Sequence, residues 1–271
     1  MKNNTIIASK MTRLKKVYKL LPPLLVRDIK ERYAGSVMGV FWTFMQPLLF
    51  ILLYWLVFSQ IIKMRIHTDT GEIPFFAFLL SGLLPWFALS EGIVRGASSI
   101  VEKGYIIKRV LYPSELFPIS AVLSSFIHHG IGFLVFLVVY FVSRGGIALF
   151  QIPAIGGLLL LQLMLTIGFS LFLSALSVYL RDILQILGIA FQALFYLTTI
   201  LYPMTSVPKS LKRFIDLNPF TSLIEGYHNV ILYGKYPEVS HIFYIFLTTV
   251  IAMLSGVFIF RKLKKGFADV L

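Results

Sequence analysis

The sequence predicts an all-α membrane protein with six transmembrane helices in a single domain. Hydrophobic residues make up 58% of the chain and charged residues 14%, well below the roughly 25% charge of soluble domains. Six long apolar stretches are separated by short polar joints, and each is close to the roughly 20 residues that cross a hydrocarbon core of ~30 Å. The predicted spans are residues 37–62, 75–98, 116–142, 153–179, 183–202 and 240–260.

The length and composition of the chain narrow this prediction. The 271 residues leave room for six spans and little else, so we expect one membrane domain, residues 1–271, with no soluble module and no cleavable signal peptide. The sequence has no cysteine, which excludes disulfides and thiolate metal sites. The net charge of +13 is divided among several joints rather than gathered on one face, so we expect no nucleic-acid partner.

The positions of the basic residues predict the orientation in the membrane. Most of the 25 lysines and arginines fall on the inner side if the N-terminus is cytoplasmic, as the positive-inside rule requires. We therefore expect a multi-pass protein of the cytoplasmic (inner) membrane with both termini in the cytoplasm. The exception is a basic cluster on the predicted outer side, formed by Lys209, Lys212 and Arg213.

Residues 10–33 predict an amphipathic helical region that lies on the membrane surface. Basic residues surround a short apolar face, which is typical of an interfacial element. Pro22-Pro23 should end a first helix, and a second helix should begin at Pro23. The ion pairs expected at i,i+4 spacing in the second helix are Arg27–Glu31 and Asp28–Arg32. The alternative interpretation is a simple topology anchor.

The first and fifth spans carry stripes of aromatic and apolar residues at steps of three and four, so each stripe lies on one helical face. Aromatic faces bind sugar rings, because the C–H groups of a pyranose pack on a π face while its hydroxyls remain hydrated. Contact with lipid or with other helices is the alternative reason for such stripes. The first consists of Phe41, Phe44, Leu48, Ile51, Trp55 and Phe58; the second of Phe191, Phe195, Thr198 and Tyr202.

Two inner joints differ in size. The joint between spans 2 and 3 contains a short apolar pattern after Gly104, followed by Pro113 and Pro118. A short amphipathic helix of this kind could dock into a groove on another protein. The joint between spans 4 and 5, around Arg181-Asp182, is too short to form a domain.

The segment 203–239 predicts two short helices split by Asn218-Pro219. Each is too short to span a membrane, so we interpret the pair as a re-entrant hairpin that dips in from the outer face. Irregular backbone at membrane depth requires cover by protein or a water-filled cavity, which makes the hairpin a candidate gate. A hairpin lying on the surface is the alternative.

The sequence lacks the motifs and the ionisable residues within spans that are typical of enzymes and of ion-coupled carriers. Glu91 is the one acidic residue within a predicted span, and Arg95, one turn on, is its expected partner. His128 and His129 are interpreted as packed histidines bonded to backbone, with a substrate or proton role as the alternative. No metal-ligand motif and no phosphate-binding loop occurs. We expect no catalytic residue and no metal site, and energy for uphill transport would have to come from a partner.

Three parts of the chain resemble a known family. RDIKERYAGSVMGVFWTFMQPLLF (27–50) is similar to the start of type-2 ABC exporter permeases of the polysaccharide class. IIKRVLYPSELFP (106–118) is similar to their first cytoplasmic coupling segment. RDILQ (181–185), LYPMTSVP (201–208) and LNPFTSLIEGYHNVILYG (217–234) are similar to their second cytoplasmic turn and outer gate hairpin. Members of this family export O-antigen, teichoic acid or capsule chains.

The resemblance implies a homodimer that encloses a central channel and works with two copies of a separate ABC ATPase subunit. Membrane lipids and a lipid-linked polysaccharide would be its other partners, and ATP and Mg would bind to the ATPase, with no cofactor in this chain. The implied channel aromatics are Phe41, Phe44, Trp55, Phe58, Phe191, Phe195 and Tyr202. The implied ATPase-coupling residues are Glu102, Lys103, Tyr105, Lys108, Arg109, Tyr112, Pro113, Arg181 and Asp182.

The resemblance also implies that the hairpin 205–234 forms the outer gate. Its implied gate residues are Pro203, Asn218, Pro219, Glu225 and His228. The family often has arginine where this chain has His228, so a role that needs a permanent positive charge is in question at this position.

Three other functions remain open from the sequence. An ABC exporter of a small hydrophobic compound would need an occluded pocket between subunits instead of a continuous aromatic path. A membrane acyl- or glycosyltransferase would need convergent polar groups, for which His128, His129 and Glu225 are the candidates. The third is a non-catalytic assembly scaffold.

Overall fold

The computed structural model describes residues 19–63, 65–68, 71–109 and 112–271, and these form a helical bundle. Among them, five helices are long and apolar enough to cross a membrane, which confirms the prediction of a helical membrane protein. The helices are α1 (19–32), α2 (Trp42–Trp55), α3 (Phe75–Glu102), α4 (Gly104–Arg109), α5 (Leu116–Ser143), α6 (Gln151–Tyr179), α7 (Asp182–Tyr196), α8 (Lys209–Asp216), α9 (Pro219–Ile231), α10 (Val239–Leu263) and α11 (Phe267–Val270). The strands are β1 (Arg65–Thr68) and β2 (Gly71–Pro74).

The long helices agree with the predicted spans. The ends of α3, α5, α6 and α10 lie within four residues of the predicted ends. The first span is less regular, because a 3₁₀ turn (Gly39–Phe41) precedes α2 and a π-helical turn (Leu56–Ile61) follows it. The π turn closes i→i+5 hydrogen bonds and therefore shifts the helical face beyond Trp55.

The fifth predicted span, 183–202, is shorter in the structure. Helix α7 has 15 residues, about 22 Å at 1.5 Å per residue. It ends at Tyr196, just before the β-branched residues Thr198 and Thr199. The side-chain amide of Asn218 donates to the hydroxyl oxygen of Thr198 at 3.0 Å and to the carbonyl of Leu197 at 3.4 Å, and the Thr198 hydroxyl donates to the carbonyl of Leu194 at 2.7 Å, so carbonyls at this helix end are satisfied.

The region before the first span also differs from its prediction. The chain is already helical at residue 19 and continues through Pro22 and Pro23 to residue 32, so the predicted break at the two prolines is wrong. The prediction for residues 10–18 lies outside the described residues.

A small β-hairpin was missed by the all-α prediction. Strands β1 and β2 pair antiparallel, with Ile66 opposite Ile73. Both isoleucines are buried, whereas Arg65 and Glu72 form an exposed ion pair at 3.2 Å. Each strand contains a single isoleucine, in RIHT and in GEIP, so the alternation is too short to identify the hairpin from the sequence.

Helix α3 lies at the centre of the bundle and packs against α5, α6 and α9. Helices α6 and α10 approach each other most closely at Gly168 and Gly256. A Cβ added at Gly168 would lie 2.6 Å from the carbonyl carbon of Ala252, and one at Gly256 would overlap the carbonyl oxygen of Gly168. Small residues allow such backbone contact between membrane helices.

Helices α2 and α7 are peripheral by comparison. All residues of both helices are described, and in α2 only Thr43 and Pro47 are buried. In α7 only Leu187 is buried. These two helices therefore present most of their apolar surface outwards from a single chain.

The bundle has two distinct ends, to which we refer as the α4 end and the β-hairpin end. The α4 end contains α4, α11 and the first turn of α5. At the β-hairpin end, Arg144 donates to the carbonyl of Leu232 at 2.7 Å and Gln151 to the carbonyl of Val230 at 2.5 Å. The C-terminal end of α9 therefore lies at the β-hairpin end.

Candidate functional site

The aromatic stripe of the first span is largely exposed. Phe41 and Phe44 are each 50% exposed, Leu48 43% and Trp55 41%. Phe58 departs from the stripe, because it lies within the π turn and its ring packs at 4.9 Å against that of Phe75. Four of the stripe residues are thus open, whereas Ile51 and Phe58 pack against the core. Other apolar residues of α2 are equally exposed, namely Leu49, Leu52 and Leu53.

The second predicted stripe is partly covered by its own chain. The rings of Phe191 and Phe195 lie 5.9 and 6.2 Å from that of Trp86, a buried residue of α3 that the sequence reasoning missed. Thr198 is fully buried, so it does not belong to an open face. Tyr202 is half-buried, and its hydroxyl donates to the carbonyl of Tyr196 at 2.7 Å.

The predicted coupling residues divide into an exposed and a covered set. The exposed residues are Glu102, Tyr105 and Lys108 on and beside α4, and Arg181 and Asp182 at the start of α7. The covered residues are Lys103, which is buried, and Tyr112 and Pro113, which are half-buried. The side chain of Arg109 lies outside the described residues.

A ladder of charged groups joins α1 to the part of α3 nearest the α4 end. Asp28 accepts from Lys103 at 3.2 Å and from Arg95 at 2.8 Å. Arg95 also reaches Glu91 at 3.5 Å, which confirms the predicted pair. Arg32 pairs with Glu91, so the predicted Asp28–Arg32 pair is wrong. We call these five residues the charged ladder.

The position of the charged ladder follows from the length of α3. Its 28 residues extend for about 42 Å, roughly 12 Å more than the hydrocarbon core. If Phe75 lies at one edge of the core, residues from about Arg95 onwards lie beyond the other edge. On that placement Arg95 and Lys103 would lie beyond the edge and Glu91 about one turn inside it, close to where charged groups remain partly hydrated.

Helix α1 makes further polar contacts with α4. The predicted pair Arg27–Glu31 is present at 2.6 Å, and Arg27 also donates to the hydroxyl of Tyr105 at 2.9 Å. The Glu31 carboxylate raises the pKa of the Arg27 guanidinium above its usual value, so this arginine stays charged. Tyr112 donates to the carbonyl of Leu20 at 3.2 Å. Helix α1 thus follows one side of the α4 segment.

His128 and His129 contact side chains, and the prediction that they bond to backbone is wrong. His129 Nε2 lies 2.6 Å from Glu91 Oε2, and His128 Nδ1 lies 2.9 Å from the hydroxyl of Tyr33. Both rings border a largely apolar cavity of about 210 Å³ between α2, α3 and α5. Among the described residues, no group of three or more histidines and acids is arranged to hold a metal ion.

The two short helices of segment 203–239 are present as predicted. Asn218 caps α9 by accepting from the backbone N–H of Phe220 at 3.0 Å, and Pro219 occupies the first turn. Helix α8 is amphipathic, with only Ile215 buried among its eight described residues. Pro203, another predicted gate residue, is half-buried in the preceding turn.

Helix α9 is embedded in the bundle, with ten of its 13 residues buried. The ring of Phe220, near its start, lies 5.9 Å from that of Trp86, near the middle of α3. Further along, the hydroxyl of Tyr227 donates to Gln162 Oε1 at 2.7 Å, and Gln162 donates to the carbonyl of Pro85 at 2.7 Å. A chain of buried hydrogen bonds thus fastens α9 to α6 and α3.

His228 is completely buried. Its ring lies 4.1 Å from that of Phe78, and a Cβ added at Gly82 would lie 3.0 Å from His228 Nε2. Glu225 is 4.0 Å from His228 Nδ1 and mostly buried. His228 therefore fills a notch in α3 and is not presented to a path through the protein.

Comparisons with known proteins agree with this architecture. The chain is 29% identical over 260 residues to the O-antigen export system permease protein RfbA of Klebsiella pneumoniae, covering 94% of this chain and 96% of that protein. It is 28% identical over 252 residues to the protein of the same name from Myxococcus xanthus, with 92% and 94% covered. It is 24% identical over 242 residues to the polysialic acid transport protein KpsM of Escherichia coli, with 88% and 91% covered. Because residues 22–232, from α1 to the end of α9, match the ABC-2 type transporter family, the chain belongs to that family.

Proposed function

We propose that this chain is the membrane subunit of an ATP-driven exporter that moves a lipid-linked polysaccharide, such as O-antigen, out of the cytoplasm. The observation that carries the proposal is the alignment with O-antigen export permeases over nearly the full length of both chains. The exposed aromatic face of α2 supports it, because stacking surfaces suit a sliding sugar chain better than one tight site does.

A homodimer would form the path. Helices of ~10 Å diameter pack solidly within one chain, whereas two chains with their α2 faces opposed could enclose a lumen. Phe41, Phe44 and Trp55 would then line it. Phe191 and Phe195 would form a second wall that is backed by Trp86, with the outward face of α7 towards the partner or towards lipid. In this proposal α7 serves as a sixth, shortened span.

The α4 end would face the cytoplasm, with both chain termini, in accord with the placement of basic residues. Two copies of a separate ABC ATPase, carrying ATP and Mg, would bind there. The exposed side chains of Glu102, Tyr105 and Lys108 are suited to this contact, as are Arg181 and Asp182. Lys103 would act within the chain, because its ammonium is already paired with Asp28.

The pair α8–α9 would act as a re-entrant outer gate. Helix α9 runs from the neighbourhood of Trp86 to the β-hairpin end, and this supports entry from that side. Movement of α4 would pass through Lys103 and the charged ladder to α1 and α3. Displacement of α2 and α7 would then advance the polymer and open the hairpin.

Export can be tested directly with purified complexes in proteoliposomes. Trp55→Ala should slow ATP-dependent polysaccharide export several-fold, because it removes the large aromatic face on which the C–H groups of a sugar ring would pack. Val239→Ala, at the exposed start of α10, is the matched control and should export normally. If the complex instead exports a small hydrophobic compound and no polysaccharide, the proposed function is refuted, and the alternative, an ABC exporter of such compounds, takes its place.

Deletion in the native host gives a second, independent test. Loss of the chain should remove the surface polysaccharide and cause the polymer to accumulate inside the cell. Normal surface polysaccharide after deletion would contradict the proposed function.

A further inference from the structure

We propose that the segment Lys264–Leu271 positions the α4 helix for its partner, with Phe267 and Leu271 as positioning residues. The proposal rests on the proposed function, in which α4 receives the ATPase. Nothing in the sequence pattern singled out this segment, which follows the last span and contains a 3₁₀ turn and the one-turn helix α11.

The segment reaches α4 through Leu271. A Cβ added at Gly104, the first residue of α4, would lie 3.3 Å from both the Cβ and a Cδ atom of Leu271. Gly104 is buried although it begins a short surface helix. Leu271 thus occupies the space that a side chain at position 104 would need.

Phe267 anchors the segment in the bundle. Its side chain is 1% exposed and belongs to an apolar cluster that includes Ile100, Phe117 and Val178. The ring of Phe260 meets it edge-on at 5.4 Å. The ring of Tyr179, at the end of α6, lies 6.4 Å from that of Phe267. Phe267 thus belongs to a cluster that joins α3, α5, α6 and α10 at the α4 end.

Polar contacts fix the same segment from two further directions. Tyr179, the last residue of α6, donates to the carbonyl of Leu263 at 2.9 Å. A Cβ at Gly266 would lie 2.5 Å from the Tyr179 hydroxyl, so a side chain at this position would displace the end of the tyrosine. Lys264 pairs with Glu115, next to the first turn of α5, at 2.8 Å.

Helix α4 is therefore held on two sides. Arg27 and Asp28 of α1 contact it through Tyr105 and the neighbouring Lys103, and Leu271 supports its first turn. Tyr105 remains 56% exposed between these contacts. A force on α4 would reach α6 and α10 through the Lys264–Leu271 segment as well as α3 through Lys103. Without the contact to Leu271, α4 would shift by itself under this force and would not transmit it to the membrane-spanning helices.

A cross-link tests the contact without any assumption about function. The natural chain has no cysteine, so the double variant Gly104→Cys/Leu271→Cys can be oxidised cleanly in membranes. The 3.3 Å approach is near the Cβ–Cβ separation of about 3.5–4.5 Å in disulfides, and a cross-link should form readily. The control pair Gly104→Cys/Val270→Cys should cross-link at least roughly tenfold more slowly, because Val270 is exposed on α11. Equal rates, or no reaction of the first pair, would overturn the proposal.

Substitution tests the positioning role in the complete complex with its ATPase. Leu271→Asp should lower export per ATP hydrolysed roughly tenfold, which corresponds to about 1.4 kcal/mol of lost coupling. ATP hydrolysis and the amount of assembled complex should stay within about twofold of wild type. Leu271→Met should keep the wild-type ratio of export to ATP hydrolysis, because methionine fills a similar volume. Val270→Asp should also leave this ratio unchanged.

Two results separate this inference from the proposed function. If wild type exports polysaccharide and Leu271→Asp keeps a normal ratio of export to hydrolysis, the positioning role is refuted and the proposed function stands. If the wild-type complex exports no polysaccharide, both the positioning role and the proposed function are refuted. Should Leu271→Asp fail to assemble, the oxidised Gly104→Cys/Leu271→Cys complex decides: it should export at the wild-type ratio, and loss of export on oxidation would refute the role.

Discussion

The hydrogen bond between Tyr227 and Gln162 should set how firmly the α8–α9 hairpin is closed. Both side chains are 0% exposed, and the bond is 2.7 Å long. Tyr227→Phe removes the donor and leaves Gln162 Oε1 in an apolar interior, at a cost of about 1–3 kcal/mol. Side-chain hydrogen bonds between membrane helices average only ~0.6 kcal/mol, with a maximum near 1.7.

The surroundings of Gln162 favour the upper part of that membrane range. Its amide nitrogen already donates to the carbonyl of Pro85, so the side chain cannot turn towards another donor without giving up this bond. We therefore expect Tyr227→Phe to lower the free energy of unfolding by about 1.5 kcal/mol. If the hairpin opens separately from the bundle, its open population should rise about tenfold, since 1.4 kcal/mol is a factor of ten.

The unfolding free energy can be measured by titration with sodium dodecyl sulfate in mixed micelles, and hairpin opening by the leak of a small sugar from proteoliposomes without ATP. Tyr236→Phe is the control, because Tyr236 is 70% exposed and should change stability by no more than about 0.5 kcal/mol. The loss of unfolding free energy in the double variant Tyr227→Phe/Gln162→Met should be smaller than the sum of the losses in the two single variants. Additive effects, or an unaltered sugar leak with an unaltered unfolding free energy, would refute the reasoning.

Three further outcomes are expected. Gly168→Ala should destabilise the protein by about 2–3 kcal/mol, because the added methyl group overpacks against the α10 backbone. Gly157→Ala is the control on the same helix, where there is open space, and it should be neutral or stabilising by up to about 1 kcal/mol. Equal effects of the two substitutions in detergent unfolding would contradict the contact between α6 and α10. Glu91→Gln should cost about 1–3 kcal/mol by leaving Arg32 without its carboxylate, and hydrogen exchange should show faster opening of α1; unchanged exchange would count against the charged ladder. His228→Arg should lower the unfolding free energy by about 1–3 kcal/mol, because the longer side chain overfills a closed notch beside Gly82; a variant as stable as wild type would mean that this side chain reaches water.

The sequence was sufficient for features that depend on local chemistry. The long helices were found because an apolar run must satisfy its backbone internally within a bilayer. The split between α8 and α9 was found because Asn218 is a strong N-cap and Pro219 fits the first helical turn. The Arg27–Glu31 pair was found because it lies within one helix.

Contacts between distant segments could not be predicted in the same way. Asp28 had an arginine at i+4 but pairs with Arg95 and Lys103, which are 67 and 75 residues away. Phe58 follows the stripe in spacing but not in direction, because it lies within a π turn. Neither the turn nor the choice of ion partner has a local signature, since both are decided by the packing of α1 and α2 on α3.

The assignment of Phe191 and Phe195 to the wall of a channel stays a prediction for a related reason. Their periodicity describes one face of α7, but it does not say whether that face is open or covered. Trp86 covers it from α3. An amphipathic or aromatic pattern therefore identifies a face and leaves its neighbour undetermined.

The glycine contact between α6 and α10 has a consequence for how the protein can move. Two backbones that touch through Gly168 and Gly256 leave no side chains between them to re-pack, so these helices should travel as one stiff frame. Helices α2 and α7, with few buried residues of their own, have the freedom to tilt against that frame. We therefore expect α6 and α10 to move together as one rigid unit, against which α2 and α7 tilt, because two residues at their contact lack a side chain.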